Sequence, residues 1–204
     1  LRVGRDAAQR LQQLTTILEV GRTVSSTLDL GAVSELVTSK AVEILQAEAG
    51  LLLLPEDAGR PGSLVVRGTQ GAAAAGLVGR RLQPGEGLAG EAFSSGEGLL
   101  VQDAHADPRW AAARDLPDGL GHSILCVPLL ARGQAIGALV VANGPDGRRF
   151  AEPDLELLST FAAHAAIALE NARLYEKTDE ALARRLHELA TIEGALDEGF
   201  ELVA

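Results

Sequence analysis

Between Arg5 and Ser26 the apolar residues Ala7, Leu11, Leu14, Ile17, Leu18 and Val24 recur at intervals of three and four, which places them on one face of a helix. Ser25-Ser26-Thr27 interrupts that pattern, and Thr27 or Asp29 can cap a second helix from about Gly31 to Gln46. Its stripe is Val33, Leu36, Val37, Ala41 and Leu45. From Ala49 the period changes. Leu51 to Leu54 and Leu64 to Val66 are short apolar runs on either side of a Pro/Gly-rich connection, Pro55 to Gly62, and predict two neighbouring strands.

Gly71 to Gly87 is rich in alanine and glycine and reads as a surface excursion. A short helix over Leu88 to Phe93 ends at Gly96, and Gly98 to Val101 is a further apolar run. Asp103 to Gly121 gathers acids, prolines and glycines around Trp110 and reads as a long loop of the kind that carries function. His122 to Leu130 and Gln134 to Ala142 are the clearest strands, joined through Ala131-Arg132-Gly133 as a tight hairpin and expected at the centre of a sheet. From Glu152 to Leu196 the only glycine is Gly194, so one helix can run through most of that stretch. The order predicts an α+β domain: an antiparallel sheet with a helical layer on one face, where the terminal helices also sit.

Composition narrows the chemistry. Of 204 residues 47% are hydrophobic and 23% charged, enough for a core but not for a large multidomain enzyme. The net charge of -10 disfavours nucleic acid and anionic membrane surfaces, since Arg80-Arg81, Arg148-Arg149 and Arg184-Arg185 are pairs and not patches. No apolar run approaches the length of about 20 residues that crosses a bilayer. A lone cysteine, Cys126, fits a reducing cytoplasm and rules out a Cys-x-x-Cys pair or a cysteine-rich zinc site. The chain starts at Leu1 and holds no methionine, which predicts an internal piece of a longer polypeptide.

The run Ser123 to Asn143, followed by Phe150, Asp154 and the helix from Leu157 to Tyr175, closely resembles a GAF domain. Leu28-Asp29-Leu30 and the Asp103 to Trp110 segment, ending in Asp-Pro-Arg-Trp, resemble that family too. The resemblance implies a six-stranded sheet with helices on one face and a small-molecule pocket on the other, beneath loops. It divides the chain into an N-terminal signalling and dimerisation helix at 1–27, a sensory domain at 28–172 and a coiled-coil linker at 173–204. Candidate pocket residues are Phe93, Asp103, Arg109, Trp110, His122 and Cys126, with Asp103 and Arg109 orienting a polar ligand and Phe93 and Trp110 covering it.

Cyclic-nucleotide-binding members carry an Asn-Lys…Phe-x-x-x-Asp-Glu signature. Asn143, Phe150 and Asp154 match it, but Gly144 replaces the lysine and Leu155 the glutamate. The matches also have an ordinary explanation in a turn, an edge contact and a first-turn acid. Cys126 lies within an apolar strand, against attachment of a bilin, and a single cysteine cannot run sulfoxide reduction as some relatives do. His105, His122 and His164 lack ligand spacing for a metal or haem. There is no Gly-x-Ser-x-Gly elbow, and Gly85-Glu86-Gly87 with Gly90 lacks the Gly-Lys-Ser/Thr ending of a phosphate loop. No catalytic residue, metal or cofactor is therefore expected.

The C-terminal helix carries a heptad seam: Phe161, Ala165, Ala168, Ala172, Tyr175, Asp179, Leu182, Leu186, Leu189, Glu193 and Leu196. Its first half can pack on its own domain, while its second half predicts a partner helix from a second copy. Ala7, Leu11, Leu14, Leu18 and Leu28 keep the same spacing at the other end. The expected dimer interface is Leu11, Leu14, Leu18, Ala172, Tyr175, Leu182, Leu186 and Leu189. Arg10-Leu-Gln-Gln-Leu-Thr-Thr-Ile17 is echoed by Arg185-Leu-His-Glu-Leu-Ala-Thr-Ile192, which predicts a further domain downstream. His187-Glu-Leu-Ala-Thr191 only partly imitates a histidine-kinase phosphoacceptor box. The expected function is a cytoplasmic, non-catalytic sensory and dimerisation module that binds a small molecule and relays to an output domain. A ligand-free spacer and a cyclic-nucleotide regulatory domain are the alternatives.

Overall fold

A computed structural model of the protein describes residues 29–56, 62–83, 85–109 and 121–201. The helix expected before Ser26, with Leu11, Leu14 and Leu18, lies outside the described residues, as do Trp110 and the side chains of Leu182, Leu186 and Leu189.

Helix α1 spans Leu30–Leu45. Of the two expected caps Asp29 serves, its Oδ1 accepting the Ala32 N–H at 2.6 Å. The helix stops where Gln46 turns into the left-handed region at φ 50°. Val33, Val37, Ala41 and Leu45 are buried as the stripe predicts, and so are Ser34 and Thr38. Those two hydroxyls are satisfied inside the helix, donating to Leu30 O and Ser34 O at 2.7 Å each. They face Gly68 of the sheet, where an added Cβ would lie 2.6 Å from Ser34 O. Helix and sheet approach each other this closely because a glycine stands there.

The strands are β1 (Ala49–Pro55), β2 (Leu64–Gln70), β3 (Arg81–Leu82), β4 (Leu99–Val101), β5 (Ser123–Ala131) and β6 (Gln134–Asn143). They form one six-stranded sheet in the order β3-β2-β1-β6-β5-β4, with every pair antiparallel. Two expectations change. The centre of the sheet is β1 with β6, and β5 has β4 outside it. The stretch read as a surface excursion holds a 3-10 turn, Ala72–Ala74, and the edge strand β3, with Ala74, Leu77 and Leu82 buried. The β5–β6 hairpin turns on Arg132 and Gly133, both at positive φ (51° and 79°), the conformation that matches strand twist.

Helix α2 spans Gly87–Ser95 and α3 spans Glu152–Glu201, a single helix of 50 residues. Pro153 falls in the first turn of α3, where a missing N–H costs nothing. The sheet separates two apolar layers. On one face Leu52, Leu125, Val127, Leu129, Leu139 and Val141 pack under α1 and α3 with Phe150, Leu158, Phe161 and Leu169. On the other, Leu51, Leu53, Ile124, Cys126, Ala138 and Val140 pack under α2 and the 3-10 turn.

The seam on α3 divides as its spacing allows. Phe161, Ala165, Ala168 and Ala172 are all buried in the domain's own core. Ala172, expected at a dimer interface, is thus a core residue, 1% exposed, because α3 is still seated on α1 and the sheet at that point. One turn later the helix is clear of the domain, and Leu174 and Tyr175 are each 52% exposed.

Candidate functional site

The face of the sheet opposite α1 and α3 is floored by small and branched side chains of β5 and β6, over which α2 lies. A glutamate opens α2: Glu86 Oε2 accepts the Gln83 N–H at 2.6 Å. Gly96, left-handed at φ 72°, closes the helix. Leu88, Ala89 and Ala92 point down into the floor, and Phe93 packs half-buried at its margin. Cys126 lies directly beneath α2. Its thiol is 0% exposed and donates to Leu88 O at 3.5 Å. Burial pushes that thiol up to about 12, against a smaller opposing pull from the Arg109 charge. Cys126 is therefore a wall of the core beneath the site and not an accessible pocket residue.

A second 3-10 turn, Ala104–Ala106, borders the floor and is anchored by Ala104 N–H to Gly121 O at 2.9 Å. Asp103 is exposed just before it. Just after it, Arg109 closes on Asp107 through Nε to Oδ1 (2.9 Å) and Nη2 to Oδ2 (2.7 Å). The Arg109 guanidinium holds the Asp107 carboxyl below its ordinary range, and burial opposes this only in part. Sequence reading named Arg109 and missed its partner. The Arg109 guanidinium is raised first by Asp107, with smaller contributions from the charges of Glu91 and Cys126. His122 enters β5 half-buried, its N–H on Asn143 O at 3.1 Å. The structure thus brings Phe93 and Cys126 together at α2, holds Arg109 on Asp107, and leaves Asp103 and His122 on either side of residues 110–120, with Trp110, which lie outside the described residues.

The three residues that match the cyclic-nucleotide signature do something else. Asn143, 1% exposed, joins the end of β6 to the end of α1: Oδ1 accepts Glu48 N–H at 2.9 Å and Nδ2 donates to Arg148 O at 2.8 Å. Phe150 is buried in the helix-side core, its N–H on Ser123 Oγ at 3.0 Å and its ring 5.1 Å from the Arg148 guanidinium carbon. Asp154 takes both Arg148 nitrogens at 2.9 Å and the Ala151 N–H at 2.8 Å. Arg148 also donates to Leu45 O at 2.8 Å. They brace the junction of α1, β6 and α3.

A six-stranded antiparallel sheet with a helical layer on one face and short helices over the other defines a two-layered α+β class of module. The family model described as GAF domain matches residues 27–170, and the chain belongs to that family. It is 38% identical over 98 residues to a probable 3',5'-cyclic phosphodiesterase, pde-5, of Caenorhabditis elegans, covering 48% of this chain and 13% of that protein. It is 34% identical over 106 residues to dual 3',5'-cyclic-AMP and -GMP phosphodiesterase 11 of Drosophila melanogaster, covering 51% of this chain. The chain thus spans only a small part, 13% and 7%, of these relatives. Among solved structures it resembles the GAF domain of a phosphoenolpyruvate-protein phosphotransferase (ptsP) from Coxiella burnetii, with a TM-score of 0.69, 26% identity and coverage of 82% of this chain and 98% of that one. The second GAF domain of DevS from Mycobacterium smegmatis aligns with a TM-score of 0.60 and 27% identity, over 74% of this chain and 99% of that one. Among the described residues no helix is long and apolar enough to cross a membrane.

Proposed function

We propose that the chain is a non-catalytic sensory and dimerisation module of a signalling protein, which binds a small polar ligand or a partner over α2 and relays the change through α3 to an output domain. One observation carries this reading. Strand β5 is shared by both layers: Ile124 and Cys126 face the floor beneath α2, while Leu125, Val127 and Leu129 between and beyond them face α3. A close-packed strand cannot shift on one face alone, so a displacement beneath α2 reaches the root of α3. In this reading Arg109 and Phe93 meet the ligand, together with Asp103, Trp110 and His122. Tyr175, Leu182, Leu186 and Leu189, with Leu11, Leu14 and Leu18, supply the helix contacts between two copies in a cytoplasmic homodimer.

The ligand-free spacer has its own support, since Ile124, Cys126 and Ala92 are 0% exposed and fill the floor themselves. Thermal unfolding separates the two against 3',5'-cyclic nucleotides, amino acids and small oxyanions. A ligand at a hundred times its Kd stabilises by about 2.7 kcal/mol, or roughly 5–10 °C in Tm for a domain of this size. Such a rise, lost in Arg109→Ala, supports the sensor; no rise with any compound supports the spacer. Light scattering of the full chain tests the dimer. A monomer at high concentration overturns it, and truncation after Ala172 is expected to weaken self-association.

A further inference from the structure

Strand β2 carries an extra residue. Leu52 of β1 pairs with Gly68 and Leu53 with Val66, which leaves Arg67 without a partner across the ladder. Val66 belongs to the layer beneath α2 whereas Gly68 lies under Ser34 of α1, so the strand changes face at Arg67. A bulge of this kind re-aims the side chain that it releases. Arg67 is exposed, and its charge acts on Glu56 at the end of β1 and on Arg173 of α3. Arg173 follows directly on Ala172, where α3 leaves the core, and donates to Pro55 O at 3.4 Å.

The charges at this corner do not balance. Glu56 is taken by Arg81, whose Nε donates to Oε1 at 3.1 Å, and by Ser63 Oγ, which donates to Oε2 at 3.1 Å. Glu170, one turn before Arg173, lies 3.8 Å from Arg132 in the β5–β6 turn. Arg67 forms no ion pair with a described residue. Burial, and after it the Arg67 charge, push the half-buried Arg173 guanidinium below its ordinary value, against a smaller opposing pull from Glu176. Two guanidiniums thus repel each other with no carboxylate bonded between them. A carboxylate brought to both would turn that repulsion into two charge-assisted hydrogen bonds.

We propose that Arg67 and Arg173 form a docking point for an acidic segment of a partner polypeptide, whose carboxylate enters between the two guanidiniums beside the root of α3. Charge complementarity selects the chemistry, and exposure selects the source. Arg67 lies on the open surface, where a free ion stays hydrated and screened, whereas a carboxylate carried on a segment brings neighbouring contacts with it. Leu174, the next residue along α3, is 52% exposed and offers an apolar one. With a net charge of -10 the chain as a whole repels acidic polymers, so a segment held here owes its hold to these local cations. The site is separate from the face beneath α2 and stands whether or not that face takes a ligand. A partner docked there bears on α3 at the point where the helix leaves the domain.

The test is the fluorescence anisotropy of rhodamine-labelled hexaglutamate titrated with the full chain at low salt. Saturable binding is expected, weakened about tenfold at physiological ionic strength. Arg67→Gln and Arg173→Gln are each expected to weaken it about fivefold, Arg67→Lys by less, and Arg149→Gln, at an exposed arginine elsewhere, not at all. Because Arg173 also holds Pro55 O, thermal unfolding accompanies each variant. Arg67→Gln is expected to keep or exceed the parent's Tm, since it relieves the repulsion on Arg173. Absence of binding overturns the proposal, and so does an Arg149→Gln effect as large as that of Arg67→Gln. A Tm of Arg67→Gln well below the parent's would make Arg67 a structural residue and overturn it as well. Inorganic phosphate that displaces the peptide at equal concentration and ionic strength would assign the pair to a small anion, and self-association that Arg67→Gln abolishes would assign it to a second copy. Either result removes the partner segment.

Discussion

Asn143 and Glu48 hold each other from both sides: Asn143 Oδ1 accepts the Glu48 backbone N–H at 2.9 Å, and Glu48 Oε2 accepts the N–H of Gly144, the residue after Asn143, at 3.0 Å. With Nδ2 on Arg148 O, the buried amide serves two backbone groups, of which the Glu48 N–H also reaches Ala142 O of β6 at 3.2 Å. Asn143→Ala removes the bond to Arg148 O and leaves the Glu48 N–H with only its longer bond to Ala142 O, and is expected to cost about 1–2 kcal/mol. Urea unfolding measures it, and a midpoint equal to that of the parent would refute the bracing role.

Arg148 and Asp154 give the junction a pH dependence. Burial raises the Asp154 carboxyl, but the Arg148 guanidinium and the Ala151 N–H outweigh it and hold the group below its ordinary value. A carboxyl depressed in the folded state contributes stability above its unfolded pKa, near 4, and that contribution is lost as pH falls through the folded value. Asp107 and Glu56, lowered by Arg109 and Arg81, titrate in the same direction. The contribution of Asp154 is therefore read as a difference: parent minus Asp154→Asn is expected to be positive at pH 6 and to shrink below pH ~4. A difference that does not change with pH contradicts the assignment.

Cys126 shows the opposite sign. With its thiol pushed up to about 12, it is protonated across the physiological range and shielded by α2. A thiol raised on folding contributes stability below its unfolded pKa, about 8.5, and the folded state loses it as pH rises from there toward 12. Iodoacetamide at pH 8 is expected to leave native protein unmodified and to alkylate it fully in urea. Rapid alkylation of native protein would mean that α2 does not cover the residue.

Gly68→Ala tests the close approach of α1. The added methyl would meet Ser34 O and the Thr38 hydroxyl at 2.6 and 2.5 Å, and helix backbone cannot yield as a side-chain tip can. The expected loss is about 1–3 kcal/mol. Ser34→Gly leaves the clashing carbonyl in place, so it is not expected to rescue the variant. A neutral Gly68→Ala would show that α1 is free to ride outward.

Much of this architecture is visible in the pattern of side chains, because periodicity reports which face of an element is buried. The stripe Val33, Val37, Ala41 and Leu45 locates α1 to within a residue, and Arg132-Gly133 marks the hairpin. Strand β3 escapes notice because two residues, Arg81 and Leu82, are too few to show alternation. Burial of Ser34 and Thr38 is equally hidden, since their hydroxyls bond within the helix and need no polar surroundings. At the site, Phe93 lies half-buried on α2, Cys126 is shut under that helix, and the Arg109 charge is engaged by Asp107 two residues earlier. Spacing names which residues carry chemistry, and says less about which neighbour has already claimed them.

The unbroken course of α3 has a mechanical consequence. The same helix is wedged between α1 and β5 at its base and extends about 43 Å past Ala172, with no proline beyond its first turn to absorb a bend. It is a lever with its fulcrum in the core. A tilt of only 10° at the fulcrum sweeps the tip through roughly 7 Å, more than one turn of helix. A repacking beneath α2 too slight to alter the outline of the domain would thus be legible at the far end of α3 as a change of position.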